Sequence, residues 1–524
     1  MKDIFTLDCT LRDGGYCNAW RFKEKNIKKI ISWVSAANVE IVECGFLSNR
    51  VEYDKDVTKF TEITQVDQFI PEHCLHTKYV LMMNYGEYNV EDLPPSDSTH
   101  IDGIRLAFHK ANRHEAIKAC KQIGEKGYLV FVQPMVSMNY SDEEFGELIN
   151  RTNEIQPYAF YIVDSFGAMD KKSLNHYFRI VEKELSEDIL IGFHSHNNLQ
   201  AAFMNAQSFL ENDSHRSCII DGSIYGMGRG AGNLNLELWL NELNKNFEKK
   251  YVINPILQAM DEVVNRFYEE KPWGYSLPNY LSAVHMTHPN YAEYLSEKKT
   301  LAIEDMDNIF SMMDIEKACE FDEQYIDELY VKYMSSGMTK NGHLFEIKNH
   351  IKDRKILFIA PGRNTLLEKT KILDFIKRNN PVVFSINCEC PITVSDYIFI
   401  SNIRRFKQLD EIHYQKTIST SNIKSSATYV SIDYFKLLND VEGVKDNAGL
   451  MALKFAMTDL NAKEINIAGL DGYSHELLKN FETEDMALIA SVDFLDKINS
   501  GMRRIIGEYR KDVLINSITT SLLM

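Results

Sequence analysis

The stretch IFTLDCTLRDGG, residues 4–15, begins as a short apolar run and ends in a polar segment with two glycines. A short apolar run rich in β-branched and aromatic residues predicts a buried strand. In barrel enzymes, the polar residues that follow such strands carry the chemistry. This stretch therefore predicts one edge of an active site, with Arg12 and Asp13 as its candidate reactive residues.

Seven more runs of this kind follow in the first half of the chain, and helical periodicity separates several of them. One helix is predicted by Ile27, Ile31 and Val34, and another by the capping box Ser141-x-x-Glu144. Strands that alternate with helices pair in parallel, so eight such units predict a closed (β/α)8 TIM barrel. A doubly wound open sheet is the alternative. The predicted strands are 4–9, 39–44, 78–83, 101–108, 128–133, 159–164, 189–194 and 218–223.

A second α/β series begins near residue 354 and has a glycine turn, Pro361-Gly362, after its first strand. This pattern predicts a smaller Rossmann-like domain. The role of this domain is left open between a structural, oligomerisation or substrate-channelling role and the binding of a nucleotide or nucleotide sugar. Its predicted strands are 355–362, 381–387, 396–401, 429–434 and 464–472. We therefore predict a catalytic barrel over 1–250, a helical extension over 251–345 and the Rossmann-like domain over 354–524.

The bulk properties of the chain narrow the classes of partner. Its 524 residues exceed what one hydrophobic core supports, and its formal charge of −17 disfavours nucleic acid and anionic membranes. Nine scattered cysteines without a C-x-x-C pair predict reduced thiols, and no apolar run reaches 18 residues. We therefore expect a cytoplasmic protein with small-molecule partners and no nucleic-acid or membrane partner. A homo-oligomer is left open.

The seventh predicted strand ends in His194-Ser195-His196. Because side chains alternate along a strand, the two imidazoles point the same way. Together with the carboxylate of Asp13, they are a ligand set that divalent metals accept. Polar packing is the alternative for the histidines, and a turn or salt bridge is the alternative for Arg12 and Asp13. The predicted meeting of both strand ends at one barrel mouth favours the metal site.

Five motifs in order along residues 1–300 resemble the DRE-TIM metallolyase superfamily, also called HMGL-like. This superfamily includes 4-hydroxy-2-oxovalerate aldolase, hydroxymethylglutaryl-CoA lyase and the isopropylmalate and homocitrate synthases. The aldolase branch is the most similar, as the third and fifth motifs and the stretch WGYSLPNYLSA at 273–283 indicate. The motifs are LDCTLRDGGY (7–16), VECGF (42–46), VDSFGAM (163–169), GFHSHNNLQAAFMNA (192–206) and GSIYGMGRGAGNLNLE (222–237).

The resemblance implies an aldolase that uses a divalent metal to act on a 2-oxo acid through an enolate. Such an enzyme converts a 4-hydroxy-2-oxo acid to pyruvate and an aldehyde, or catalyses the reverse reaction. By this resemblance Asp13, His194 and His196 hold the metal, and Asn233 is a further ligand or a neighbour of the ligands. We expect manganese, with zinc, cobalt and magnesium as alternatives.

The resemblance also implies roles for residues around the metal. Arg12 is expected to stabilise the enolate oxygen, and Glu43 is expected to orient Arg12. Ser165 is expected near the substrate carboxylate, with a strand cap as the alternative. Tyr275 and Tyr280 are further candidates for substrate binding.

Two departures from the family pattern leave questions open. Tyr16 stands where many such aldolases have histidine, and a phenol with an ordinary pKa of about 10 is a poor base at neutral pH. The base is therefore left open between Tyr16, His109 and a metal-bound water. Residues 226–229 also lack the reactive cysteine of the acyl-CoA lyases. An acyl-CoA lyase or synthase, and a non-catalytic metal-retaining scaffold, are the alternative functions.

Overall fold

The computed structural model describes residues 3–71, 76–212, 214–298, 301–337, 339–441, 443–483 and 492–524. The chain divides into two compact units, one of Met1–Tyr294 with Met313–Phe321 and one of Leu295–Met312 with Asp322–Met524. The segment predicted as a helical extension is therefore divided between the two units. The three-part division given above stays a prediction.

The first unit is a closed barrel of eight parallel strands. Each strand pairs with the next along the chain, and β1 pairs with both β2 and β9, which closes the sheet. The TIM barrel is thus confirmed, and every predicted strand of this unit is present. The short β3 adds to one end of β2. The strands are β1 (Ile4–Asp8), β2 (Ile41–Leu47), β3 (Lys59–Phe60), β4 (Lys78–Asn84), β5 (Gly103–Phe108), β6 (Leu129–Pro134), β7 (Ala159–Asp164), β8 (Leu190–Ser195) and β9 (Cys218–Gly222).

Alternation along the strands separates two layers of side chains. One face is apolar and packs against the surrounding helices, as with α2 (Glu24–Ala36), which buries Ile27, Ile31 and Val34. The other face fills the barrel with a small apolar cluster that includes Phe131 and Tyr161. In this interior, polar side chains follow the apolar cluster toward the carboxyl ends of the strands.

The second unit contains an open sheet of seven parallel strands in the order β14-β13-β12-β11-β10-β15-β16. The order reverses between β10 and β15, as in doubly wound α/β folds. The five predicted strands are present, and β13 and β16 are additional. The strands are β10 (Ile356–Ile359), β11 (Val382–Ile386), β12 (Tyr397–Ile400), β13 (Thr417–Thr420), β14 (Val430–Ile432), β15 (Glu464–Ala468) and β16 (Leu514–Ser517).

Helices cover both sheets and form the segment between them in the sequence. Among the described residues, no helix is both long and apolar enough to cross a membrane. None of the eight described cysteines forms a disulfide, and Cys74 lies outside the described residues. The remaining helices are α1 (Gly15–Asn18), α3 (Arg113–Glu125), α4 (Asp142–Ile155), α5 (Lys171–Glu184), α6 (Ala202–Leu210), α7 (Leu236–Asn246), α8 (Ile253–Ala259), α9 (Asn265–Glu270), α10 (Leu277–Val284), α11 (Pro289–Glu297), α12 (Ile303–Ser311), α13 (Glu323–Ser335), α14 (Leu344–Ile351), α15 (Asn364–Leu367), α16 (Lys369–Asn379), α17 (Ile403–Lys407), α18 (Tyr434–Leu437), α19 (Ala448–Thr458) and α20 (Val492–Tyr509).

Candidate metal centre

Asp13, His194 and His196 meet at the carboxyl end of the barrel. One candidate ligand atom from each residue lies within 4.8 Å of those of the other two, and all three side chains are buried. Asp13 follows β1 in a tight turn in which its amide donates to the carbonyl of Cys9. His194 lies in β8. His196 comes two residues after His194, directly after the end of that strand, and on the same side.

The protonation of Asp13 and His196 suits a cation. Burial would raise the pKa of Asp13, but Arg12 and the nearby histidines hold it below its usual range. Burial lowers the pKa of His196 to about 3, so the imidazole is neutral and keeps a lone pair at physiological pH. His194 donates from Nδ1 to Asp221 over 2.9 Å, which directs its Nε2 lone pair elsewhere. The set therefore contains one carboxylate and two imidazoles, of which that of His196 is neutral at physiological pH.

Asn233 lies against these residues from the loop after β9. Its amide nitrogen donates to Asp13 Oδ2 over 2.7 Å, and its backbone pairs with that of His196. A Cβ added at Gly228 would lie 2.4 Å from the Asn233 amide nitrogen and 2.8 Å from Asp13 Oδ2. The glycine is required because the loop approaches the carboxylate so closely. Asn233 Oδ1 and His196 Nδ1 are buried without a hydrogen-bond partner in the described part of the chain. Buried polar atoms usually have a hydrogen-bond partner, and these two atoms are instead available to a bound cation.

A chain of alternating charges, which we call the charge relay, runs across the barrel interior. It consists of the alternating charges of Arg12, Glu43, Arg105 and Asp221, and of His194, which contacts Asp221 at one end. Arg12 Nε donates to Glu43 Oε2 over 2.7 Å, and Glu43 Oε1 lies 2.8 Å from Arg105 Nη1. Arg105 Nη2 donates to Asp221, which also accepts from His194. Buried charges are tolerated only when they are paired in this way.

The relay explains how Arg12 is held beside the candidate metal ligands. Its Nη1 donates to Asp13 Oδ1 over 2.5 Å, so the guanidinium is held by one carboxylate on each side. Burial would lower the pKa of Arg12, but Glu43 and Asp13 raise it, and the group stays cationic. The structure thus brings Glu43 into contact with Arg12, at the position from which it can orient the guanidinium.

A second arginine, Arg229, lies at the same mouth. It donates to the carbonyl of Ser165 over 3.1 Å and to His288 Nε2 over 2.8 Å, and its guanidinium lies 5.3 Å from the centre of the Tyr16 ring. Burial lowers the pKa of His288 well below its ordinary value, so this imidazole accepts from Arg229 as a neutral group. The Ser165 hydroxyl accepts from the amide of Val136 over 2.9 Å.

The remaining candidate residues differ in their environment. Desolvation raises the pKa of Tyr16 above its ordinary value although 36% of the residue is exposed, which makes the phenol a weaker acid still. Burial lowers the pKa of the half-buried His109, so its imidazole is neutral at physiological pH. Tyr275 and Tyr280 are 57% and 41% exposed. Their predicted role in substrate binding stays a prediction.

Sequence reasoning missed Arg105, Asp221, Arg229 and His288. Arg105 and Asp221 stand inside predicted strands, IDGIRLAF and CIIDGS, where a charged residue in an apolar run is a signal of a buried partner. The two residues pair with each other across 116 positions, so no spacing in the sequence indicates the pair. His288 comes from the segment before α11, and nothing in the sequence links it to Arg229.

The closed barrel and the polar cluster at its carboxyl end define the chain as an enzyme of the TIM-barrel class. Residues 3–261 match the model of the HMGL-like family. The chain thus carries an HMGL-like domain and is a lyase.

Three of the proteins to which the chain is similar illustrate the match. The 4-hydroxy-2-oxovalerate aldolase of Geobacillus thermodenitrificans is 23% identical over 278 residues, which are 50% of this chain and 79% of that protein. The 4-hydroxy-2-oxovalerate aldolase of Bacillus cereus is 25% identical over 248 residues, which are 47% of this chain and 70% of that protein. A crystal structure of the N-terminal domain of a Bacteroides vulgatus protein is 26% identical with a TM-score of 0.48, and the match covers 56% of this chain and 96% of that one.

Proposed function

We propose that the barrel is a divalent-metal-dependent lyase that breaks or forms a carbon–carbon bond in a 2-oxo acid. In the direction of cleavage, a 4-hydroxy-2-oxo acid gives pyruvate and an aldehyde. The observation that carries this proposal is the contact between Arg12 and the Asp13, His194 and His196 cluster. A fixed cation beside a metal site is what an enolate oxygen requires. The aldolase relatives support the same substrate class.

Asp13, His194 and His196 would hold the metal, with Asn233 Oδ1 as a further donor atom. When bound there, a divalent ion supplies Lewis-acid polarisation of the 2-oxo group. One carboxylate and two imidazoles suit manganese, which we favour, and also zinc, cobalt or magnesium. The unsatisfied atoms of His196 and Asn233 support this assignment.

The two arginines have separate parts in the proposal. Arg12 stabilises the negative charge that develops on the ketone oxygen as the carbon–carbon bond breaks, since Glu43 and Asp13 fix its position. Arg229 binds the substrate carboxylate beside Ser165. Its Nε is buried without a hydrogen-bond partner among the described residues, and a carboxylate would satisfy it. Phe46, with its ring centre 6.0 Å from the Arg12 guanidinium, provides an apolar wall for the departing aldehyde.

Cleavage also requires a base for the 4-hydroxyl proton. His109 suits this step better than Tyr16, because burial keeps the imidazole neutral and able to accept a proton, whereas the raised pKa of Tyr16 keeps the phenol protonated. Tyr16 then contributes its ring to the contact with Arg229.

The test separates enolisation from the unknown aldehyde. The metal-loaded full chain should exchange the C3 protons of pyruvate for deuterium, as measured by NMR. Arg12→Lys keeps a charge but loses the planar fork, so exchange should slow about 10²- to 10³-fold at equal metal content. Arg21→Lys is the control, because Arg21 is an exposed residue that pairs with Asp54.

Two results would contradict the proposal. If metal-loaded wild type exchanges neither pyruvate nor other 2-oxo acids, the oxo-acid substrate class is wrong and an acyl-CoA thioester becomes the better candidate. If Arg12→Lys exchanges as fast as wild type, the enolate is stabilised elsewhere.

A further inference from the structure

The second unit contains a large cleft, of about 1710 Å³, at the carboxyl ends of its strands. The loops that follow β10, β11, β12 and β15 line it, through Gly362, Asn387, Ser401 and Gly469 among others. In open α/β sheets, ligands bind outside the carboxyl ends of the strands, where the strand order reverses. That reversal lies between β10 and β15, within this cleft.

Main chain rather than side chains forms the cleft wall at the reversal. Gly469 has φ +70°, and a Cβ there would lie 2.0 Å from the Thr365 hydroxyl. A Cβ at Gly362 would lie 2.1 Å from the Gly469 carbonyl oxygen. Both positions therefore require glycine, and the loops after β10 and β15 pack backbone to backbone.

Asp471, two residues beyond Gly469, lines this cleft and has an unsatisfied acceptor atom. Its Oδ2 accepts from the amide of Asn364 over 2.8 Å. Its Oδ1 is buried and has no hydrogen-bond partner in the part of the chain that the structure describes. An unsatisfied buried acceptor is costly, and a ligand hydroxyl would satisfy it. Ribose hydroxyls are donors of this kind, and Rossmann-like sheets bind them with a carboxylate, there at the end of the second strand, whereas Asp471 follows β15.

The same cleft also contains positively charged side chains that could bind phosphate groups. Among the described lining residues, seven are Lys or Arg and five are Asp or Glu, in a chain whose formal charge is −17. The first turn of α19 (Ala448–Thr458) also lines the cleft, and its amides and dipole favour an anion. A Cβ at Gly449 would lie 2.6 Å from Leu470, so this turn adjoins the loop that carries Asp471. Lys445 lies three residues before the helix.

Aromatic side chains complete the lining. Phe435, Tyr473 and Phe481 contribute to the cleft, and the last two pack edge to face with ring centres 5.9 Å apart. Such surfaces accept a planar aromatic group by stacking or by edge contacts.

We propose that the second unit binds a nucleoside diphosphate, free or carrying a sugar, in this cleft. Asp471 accepts from the ribose hydroxyls, the first turn of α19 with Lys445 binds the phosphates, and the aromatic side chains contact the base. Every residue that lines this cleft belongs to the second unit, and the test of the site does not depend on lyase activity.

The experiment is calorimetric titration of the full chain with ADP, CDP, GDP and UDP, and with inorganic pyrophosphate as the ligand that lacks ribose and base. At least one diphosphate should bind more tightly than pyrophosphate and should raise the Tm. Asp471→Asn should weaken diphosphate binding about tenfold, the equivalent of one charged hydrogen bond, and leave pyrophosphate binding unchanged. Lys445→Gln should weaken both ligands, because it acts on phosphate.

Matched controls come from the same unit. Asp374→Asn changes an exposed carboxylate on α16, and Lys463→Gln removes a charge before β15, at the opposite edge of the sheet. Neither should alter binding. The proposal is overturned if no diphosphate binds at millimolar concentration, or if pyrophosphate binds as tightly as every diphosphate. It is also overturned if both cleft variants bind like wild type, or if binding disappears in His196→Ala, which would locate the ligand in the barrel.

Discussion

The two sheets of this protein are both wholly parallel, yet they place polar groups at their carboxyl ends in different ways. In the barrel, Arg105 and Asp221 project from the strands themselves and are 0% and 1% exposed. In the open sheet, most cleft residues come from loops and helices rather than from the strands, and Lys445 and Lys497 are exposed. Inside the closed barrel the charged side chains pair with one another. At the edge of the open sheet, Lys445 and Lys497 are exposed and could contact a ligand.

This difference predicts how substitutions combine. In the barrel each charged group touches the next, so the loss of one should alter the properties of another, and the effects should not add. In the cleft, Asp471 and Lys445 are expected to act on different parts of one ligand, so their effects on binding should add. Three single substitutions in the barrel test whether the loss of one buried group alters the properties of its surroundings.

The largest effect is expected from His196→Ala, which removes a predicted metal ligand. Metal affinity should fall more than about a hundredfold, beyond the range for residues that only support a ligand, and turnover should fall with it. The fold should survive, because the residue lies at the barrel mouth. Metal content after dialysis, with circular dichroism for the fold, is the measurement.

His176→Ala is the matched control, since His176 is an exposed residue paired with Asp142. It should keep its metal. Unchanged metal content in His196→Ala would place the metal elsewhere and remove the basis of the contrast.

An intermediate effect is expected from Asp221→Asn. The amide keeps the shape and can still accept from His194 Nδ1, but it loses the charge that supports both His194 and Arg105. Metal affinity should fall about 10- to 100-fold. Titration with a competing chelator measures it, and Asp54→Asn, at an exposed ion pair, is the control. Equal metal affinities for wild type and Asp221→Asn would mean that the charge of Asp221 does not influence metal binding.

The smallest effect is expected from Asp8→Asn, and it depends on pH. Asp8 is buried, its Oδ1 accepts from the Thr10 hydroxyl over 2.5 Å, and burial raises its pKa from 3.8 to about 7. Between these values the native state holds a proton that the unfolded chain releases, so wild-type stability falls as pH rises through this window. Asparagine does not titrate.

The Tm of Asp8→Asn relative to wild type should therefore increase from pH 5 to pH 8, by a few degrees. Differential scanning calorimetry on metal-free protein measures this, with Asp374→Asn as the exposed control. A Tm difference that is the same at both pH values would show that Asp8 is ionised throughout and is compensated within the barrel.

The barrel was predictable because its strands are mostly apolar runs that alternate with helical segments. Residues 189–194 and 218–223 predict their strands well, and the H-x-H spacing alone brings His194 and His196 to one side. The convergence with Asp13 follows from closure of the barrel. These inferences need only local patterns and one topological rule.

The features that the sequence did not predict depend on contacts between residues distant in the chain, which no local pattern contains. β13 reads TIST and is too polar to stand out, although it is buried between β12 and β14. The pair of Arg229 with His288 joins residues 59 positions apart. Arg105 is recognisable as an anomaly in its strand, but its partner on β9 can be identified only after the register of the barrel is known.

The charge relay also determines at which stage of folding the candidate metal site can form. Its members come from β2, β5, β8, β9 and the turn after β1, so the site is incomplete until the first and last strands of the barrel meet. A partly folded barrel without that closure lacks the arrangement of ligands that the ion requires. Metal should therefore slow the opening of the barrel and leave its rate of formation almost unchanged, because an interaction absent from the transition state acts on unfolding alone. The proposed metal would therefore hold the seam between residues 4–8 and 218–222 closed and would slow its opening.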